Sequence, residues 1–146
     1  MKIAFGCDPN AKDLKKVLMD EARNLGHEVV DFPSDDPIYA NVAIAVAESV
    51  VKGEEDRGIL LCGTGLGVSI AANKVPGACC ACVADIYQAE RATLSNNANL
   101  LAMGAQVVGP ESAKEFMKAY LGATFDPNSR SAPKIARISE YEKEQK

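Results

Sequence analysis

The segment Cys62-Gly63-Thr64-Gly65-Leu66-Gly67 is where the sequence most plainly carries chemistry. Three glycines in five residues let the backbone turn tightly and aim several N–H groups at one point. Such a nest, opening onto the start of a helix, stabilises an anion. A thiol at its mouth gains thiolate character. From this segment alone, a glycine-rich turn over an inert buried cysteine weighs about as much. A dinucleotide-binding oxidoreductase is disfavoured. Val68 stands where the GxGxxG fingerprint needs its last glycine, and the segment follows the third apolar run rather than the first. No GK[ST] is present, so the loop is not a nucleotide P-loop. It suits a small anionic group or an anionic transition state.

Other polar residues offer supporting roles. Asp8 ends the first apolar run and suits a substrate hydroxyl or the cap of a helix starting near Ala11, a role Asn10 fills equally well. Asn96, Asn97 and Asn99 offer neutral donors and acceptors that suit a polyol or an ordinary turn. Arg130, Lys134 and Arg137 suit a phosphate, arginine in bidentate fashion. On the residues alone, a solvated charged face is the better reading of that trio. His27 is the only histidine. A His-based metal site or triad would have to run through it, and its place after Gly26 reads as a surface connection.

Composition bounds the class. The chain has 146 residues, 16 Lys+Arg against 20 Asp+Glu, and a net charge of −4. That predicts a single domain over residues 1–146. It lacks the basic excess of a nucleic-acid binder. No apolar stretch reaches the ~18 residues of a membrane helix, and the start is too quickly polar for a secretory signal. Five cysteines, at 7, 62, 79, 80 and 82, are an odd number, which suggests free thiols in the cytoplasm. The Cys79-Cys80-x-Cys82 group lacks CxxC spacing and a second ligand cluster. It reads as small residues in a buried strand rather than a metal site.

The elements that must position these residues alternate. Strands are expected at Lys2–Gly6, Glu28–Phe32, Gly58–Cys62, Ala78–Ala84 and Leu100–Met103. Leu14, Val17, Leu18, Ala22 and Leu25 recur at helical spacing, as do Val42, Ala43, Val46, Ala47 and Val50. Further helices are expected after the glycine loop, at Ile86–Leu94, at Glu111–Leu121 behind Pro110, and at Ile135–Lys143, the last reaching away from the body. The pattern implies an α/β fold, a Rossmann-like three-layer αβα sandwich with a five-stranded parallel sheet and an extended C-terminal helix. Ligands in such sheets bind beyond the carboxyl ends of the strands. The segments at Cys7–Asn10, Cys62–Gly67 and Ser95–Asn97 are expected there.

Taken together, KIAFGCD, LGHEVVDF, GEEDRGILLCGTGLGVSIAANKVPG, NNANLLAMGAQVVG and the FD…SR…K tail resemble the ribose-5-phosphate isomerase B and galactose-6-phosphate isomerase family (RpiB/LacA/LacB). The likeness covers nearly the whole chain, and the block from Gly53 to Gly77 is its most specific part. It implies a homodimer or homotetramer with the active site at a subunit interface, interconverting aldose and ketose phosphates without metal or cofactor. It further implies that Cys62 moves a proton between C1 and C2 with Thr64 beside it. The loop Gly63, Gly65, Leu66 and Gly67 would stabilise the enediolate. Asp8 and Asn96 would bind hydroxyls beside Ser95 and Asn97, and Arg130 and Lys134 would help hold the phosphate.

Bottom-up chemistry agrees, because removing a proton next to a carbonyl builds charge on oxygen that N–H donors can carry. Ribose 5-phosphate to ribulose 5-phosphate is the family default. The departures are informative. Pro9 and Asn10 stand in the family's His-Ala-Gly stretch, Cys79 replaces an arginine, Ala84 a histidine, and Ser131 a histidine. Ser95 stands where the family has the histidine thought to open the sugar ring. A tetrose 4-phosphate cannot close a furanose, because its O4 carries the phosphate, so it needs no ring-opening group. Some members that act on erythrose or erythrulose phosphates share the pattern Glu90–Ala98. An open-chain tetrose phosphate is therefore the competing substrate, and a non-catalytic sugar-phosphate binder the competing class.

Overall fold

The computed structural model describes residues 1–145. Five strands form one parallel sheet: β1 (Lys2–Cys7), β2 (Glu28–Phe32), β3 (Arg57–Cys62), β4 (Cys80–Cys82) and β5 (Leu100–Gly104). Their order is β2-β1-β3-β5-β4. Six helices connect and follow them: α1 (Lys12–Asn24), α2 (Tyr39–Val51), α3 (Leu66–Ala72), α4 (Ile86–Leu94), α5 (Pro110–Leu121) and α6 (Ala132–Glu144). The expected αβα architecture is what forms.

After their first residues, Lys2 and Arg57, β1 and β3 are apolar throughout, as is β5, because both faces are covered. Ile3, Phe5, Ile59, Leu61, Leu101 and Met103 point to one side, where α1, α4 and α5 supply Leu18, Ala89, Met117 and Tyr120. Ala4, Leu60, Cys62, Leu100 and Ala102 point to the other, against Val42 and Val46 of α2 and Val68 of α3. Cys62 therefore belongs to the α2/α3 face.

Two elements differ from expectation. The fourth strand is three residues rather than seven. Its start is taken up by side chains: Asn73 pairs with both the N–H and the carbonyl of Cys80, at 2.8 and 3.0 Å. Asn99 accepts from Cys79 N–H at 2.8 Å and donates to the Gly77 carbonyl at 3.0 Å. Asparagines thus satisfy backbone groups along an edge that would otherwise invite another chain. The strand's end is set by Asp85, which accepts from Gln88 N–H at 2.7 Å and caps α4. The last helix starts at Ala132, three residues early, and does not simply reach away. Its Glu142 accepts from Gly77 N–H at 3.0 Å, and its Ile135 and Ile138 share a small cavity with Asn96 and Asn97.

All five cysteines are free. Cys80 is buried, and burial pushes its thiol up to about 12. Burial also raises Cys79 and Cys82, each half-buried. The strand-packing reading of this trio holds for Cys80, while its neighbours sit at the rim of the edge strand. Among the described residues no helix is long and apolar enough to cross a membrane.

Candidate active site

Cys62 closes β3, in register with Gly104 on β5. Gly65 N–H donates to its Sγ at 3.1 Å, and Leu66 N–H donates to Thr64 Oγ1 at 3.2 Å. Two of the loop's donors are thus turned inward, fixing the thiol and the hydroxyl against the turn. The N–H groups of Gly67 and Val68, in the first turn of α3, have no acceptor four residues back. The loop carries an exposed Thr64 above a thiol that is 4 % exposed.

The sequence folds this way because larger residues do not fit. Gly65 has φ +81°, and a Cβ there would lie 2.8 Å from the Met103 carbonyl carbon and 3.1 Å from Cys82 Sγ. A Cβ on Gly104 would lie 2.5 Å from the Thr64 carbonyl carbon. The loop therefore folds down over the end of β5 with backbone touching backbone. Gly65→Ala is expected to cost about 1–2 kcal/mol from the left-handed conformation alone, with more from the clash. It should also lower kcat by roughly 100-fold, the scale expected when reacting groups are misplaced by an ångström. Denaturant unfolding and steady-state kinetics check the two effects separately.

Asp8 lies beside Cys62. Cys7 pairs with Leu61 across β1 and β3, so the residues that follow each are level, about one strand spacing of 4.8 Å apart in backbone. Asp8 N–H donates to the Leu61 carbonyl at 3.1 Å, and its Oδ1 accepts from Asn10 N–H at 3.1 Å. It is the cap of the 3-10 turn Pro9–Ala11 and is half-buried at the mouth of the site. Asn10 does not take the capping role.

Tyr39 is the residue that sequence reasoning missed. It opens α2, and the tip of its phenol ring presses on Gly67 closer than any Cβ there would allow. It is 39 % exposed. The only sequence signal is an aromatic at the head of an otherwise Ala/Val-rich helix. No spacing rule connects residue 39 to residue 67, because the contact exists only once α2 and α3 pack side by side.

The segment Ser95–Asn97 is not where the sequence placed it. It precedes β5, so it lies at the amino-terminal end of the sheet, while Cys62 is level with Gly104 at the other end of the same strand. Five residues of strand, roughly 16 Å, separate the two clusters within one chain. A polar turn next to an apolar run does not by itself show which end of the sheet it occupies. At this far end Ser95 closes α4 and accepts from Arg91 Nε at 2.6 Å. Asn96 and Asn97 are exposed, and Asn97 has φ 49°. The turn is anchored by Tyr120, whose hydroxyl donates to the Ala98 carbonyl at 2.7 Å. Asn99 is a bridge between Gly77 and Cys79 rather than a site group. Arg130 precedes α6 and Lys134 lies in its first turn, both exposed and without an ion-pair partner among the described residues. Ile135, the residue after Lys134, lines a cavity with Asn96.

His27 stands apart from both clusters. Its Nδ1 lies 3.1 Å from the Met1 ammonium, beside the amino ends of β1 and β2. Partial burial and that neighbouring charge lower its pKa.

The model for the ribose/galactose isomerase family matches residues 3–138. The chain is 45 % identical to the D-erythrulose-4-phosphate isomerase of Pectobacterium atrosepticum, over all of this chain and 98 % of that one. It is 40 % identical to the ribose-5-phosphate isomerase B of Escherichia coli, over 97 % of this chain and 96 % of that one. The solved ribose-5-phosphate isomerase B of Clostridium thermocellum superposes with a TM-score of 0.93 at 40 % identity, each chain covered in full. With that extent of likeness and the glycine loop folded at the end of β3, the chain belongs to the ribose/galactose isomerase family.

Proposed function

We propose that the chain is a metal-independent aldose–ketose isomerase of a sugar phosphate, with Cys62 as the base and residues 1–146 as one isomerase domain. The observation that carries this is the thiol at the end of β3, held by Gly65 N–H under a tight glycine loop and level with Asp8. The base takes the proton from the carbon next to the carbonyl and returns it to the neighbouring carbon, while oxygen carries the transient charge. Donors already aimed at that oxygen cost nothing to reorganise during the step. Gly67 and Val68 supply such N–H groups, Thr64 a hydroxyl, and Asp8 a hydroxyl acceptor.

The remaining site groups come from a second copy. Ser95, Asn96 and Asn97 sit about a strand length from Cys62 in their own chain, too far to share a four- or five-carbon substrate with it, and Arg130 and Lys134 are assigned to the same half of the site. A homodimer, or a tetramer built from it, brings one chain's far end to the other's loop. The surface beside the loop supports this: Leu66 is 59 % exposed, Ile70 62 % and Ile38 60 %, an apolar margin of the kind that marks an interface. The setting is the cytoplasm.

Ribose 5-phosphate is the family's default substrate. A second reading, a tetrose 4-phosphate, is favoured by Ser95. Its hydroxyl is already bonded to a guanidinium and offers no group that titrates near neutrality to open a ring. The 45 % identity to an erythrulose-phosphate isomerase points the same way. A screen of C4, C5 and C6 sugar phosphates, read by isomerisation and by exchange of the C2 proton with deuterated solvent, tests both. Exchange with at least one of them is the expected result. Binding without exchange would mean a sugar-phosphate-binding protein. Equal turnover of ribose 5-phosphate and D-erythrulose 4-phosphate would remove the case for the tetrose.

A further inference from the structure

We propose that Arg91, locked against Ser95, is a specificity-determining and positioning residue that grips the terminal phosphate of a short, open-chain sugar phosphate. The inference rests on the shared-site reading above and names the substrate class of that site.

Arg91 and Ser95 are four residues apart on α4 and so lie on one face of the helix. Nε donates to Ser95 Oγ at 2.6 Å, and Ser95 N–H donates back to the Arg91 carbonyl at 2.8 Å. The two Nη groups meet no acceptor, and Arg91 makes no ion pair, among the described residues. Arg91 lines a cavity of about 370 Å³ that it shares with Asn96 and Gln88, and no carboxylate lines it. One fixed cation, two unspent parallel N–H donors and no competing anion match a phosphate, which a guanidinium binds in bidentate fashion.

The same contact explains the direction of the selectivity. Ser95 accepts from Arg91, so its own proton is free to be donated to a substrate oxygen beside Asn96. A four-carbon chain brings its phosphate one carbon nearer to Asn96 than a five-carbon chain does. Arg91 and Asn96 line the same cavity, whereas Lys134 belongs to α6 and Arg130 to the turn before it, and neither lines that cavity. Arg91 thus supplies the grip for the shorter substrate and, through Ser95, holds the hydroxyl-binding turn in place.

The experiment compares binding of two stable open-chain acids, 4-phospho-D-erythronate and 5-phospho-D-ribonate, to the full chain and its variants by calorimetry. Arg91→Met is expected to weaken the C4 acid by about 10–100-fold, the scale of charge-assisted hydrogen bonds, and the C5 acid by less than about threefold. Arg91→Lys keeps the charge without the fork and should fall between. It also decides the matter if the methionine variant does not fold. Ser95→Ala should shift the preference the same way by a smaller factor. A wild-type chain that does not bind the C4 acid, or an Arg91 variant that loses both acids equally or neither, overturns the proposal. Arg91-dependent binding in a chain that exchanges no C2 proton would sink the isomerase reading and leave this inference standing. Isomerisation with no Arg91 dependence would do the reverse.

Discussion

Cys62→Ala is expected to lower kcat by about 10²–10⁴-fold, the range a positioned general base contributes, while KM changes by no more than a few-fold. The thiol is 4 % exposed and bonded to Gly65 N–H, so it offers substrate little binding surface. Under the proposed mechanism, what alanine removes is the atom that carries the proton. Exchange of the C2 proton with deuterated solvent should fall in parallel, because exchange and isomerisation share the abstraction step. Overall unfolding should move by about 1 kcal/mol, since a small buried side chain is exchanged for a slightly smaller one. A variant that still exchanges the C2 proton at near the original rate would show that another group is the base. Thr64 and Asp8 would be the next to examine, being at the same end of the sheet.

Asn96→Ala should also be nearly inactive by itself, yet mixing it with Cys62→Ala should restore activity. The reasoning is geometric. Within one chain Asn96 precedes β5 and Cys62 is level with its far end, roughly 16 Å away along the strand, so a site that uses both must draw them from different copies. In a two-fold dimer every contact occurs twice. A mixed dimer therefore carries both lesions in one site and none in the other. Random reassembly of equal amounts makes half of the dimers mixed, each with one intact site of two. About a quarter of wild-type activity should return. The readout is activity after joint unfolding and refolding, or coexpression with two tags. A mixture that stays as inactive as its parents would place both residues' work within one chain, and the proposed assembly of the site would fail with it.

The strands, and the loop that follows the third, were legible because their information is local. Gly58–Cys62 is apolar at every position, as a strand covered on both faces must be, and it lies within the observed β3. The αL residue Gly65 was readable from glycine spacing. Asp8 was readable as both a cap and a site group, and the structure gives it the cap without removing it from the mouth. The fourth strand was misjudged in length because an apolar run does not reveal that Asn73 and Asn99 take its hydrogen bonds. Those bonds join residues 7 to 22 positions apart and have no periodicity.

By itself the sequence determined the αβα architecture and the tight glycine turn that follows Cys62 at the end of β3. Each depends on residues close together in the chain, where sterics and hydrophobic periodicity act directly. The tertiary structure alone decided that Tyr39 seats on Gly67 and that Arg91, bonded to Ser95, lines a cavity free of carboxylates. It also decided that Asn96 stands at the far end of the sheet from Cys62. Those are matters of which end of a strand a loop occupies and which helices touch, and they are set by packing across the sheet rather than by spacing along the chain.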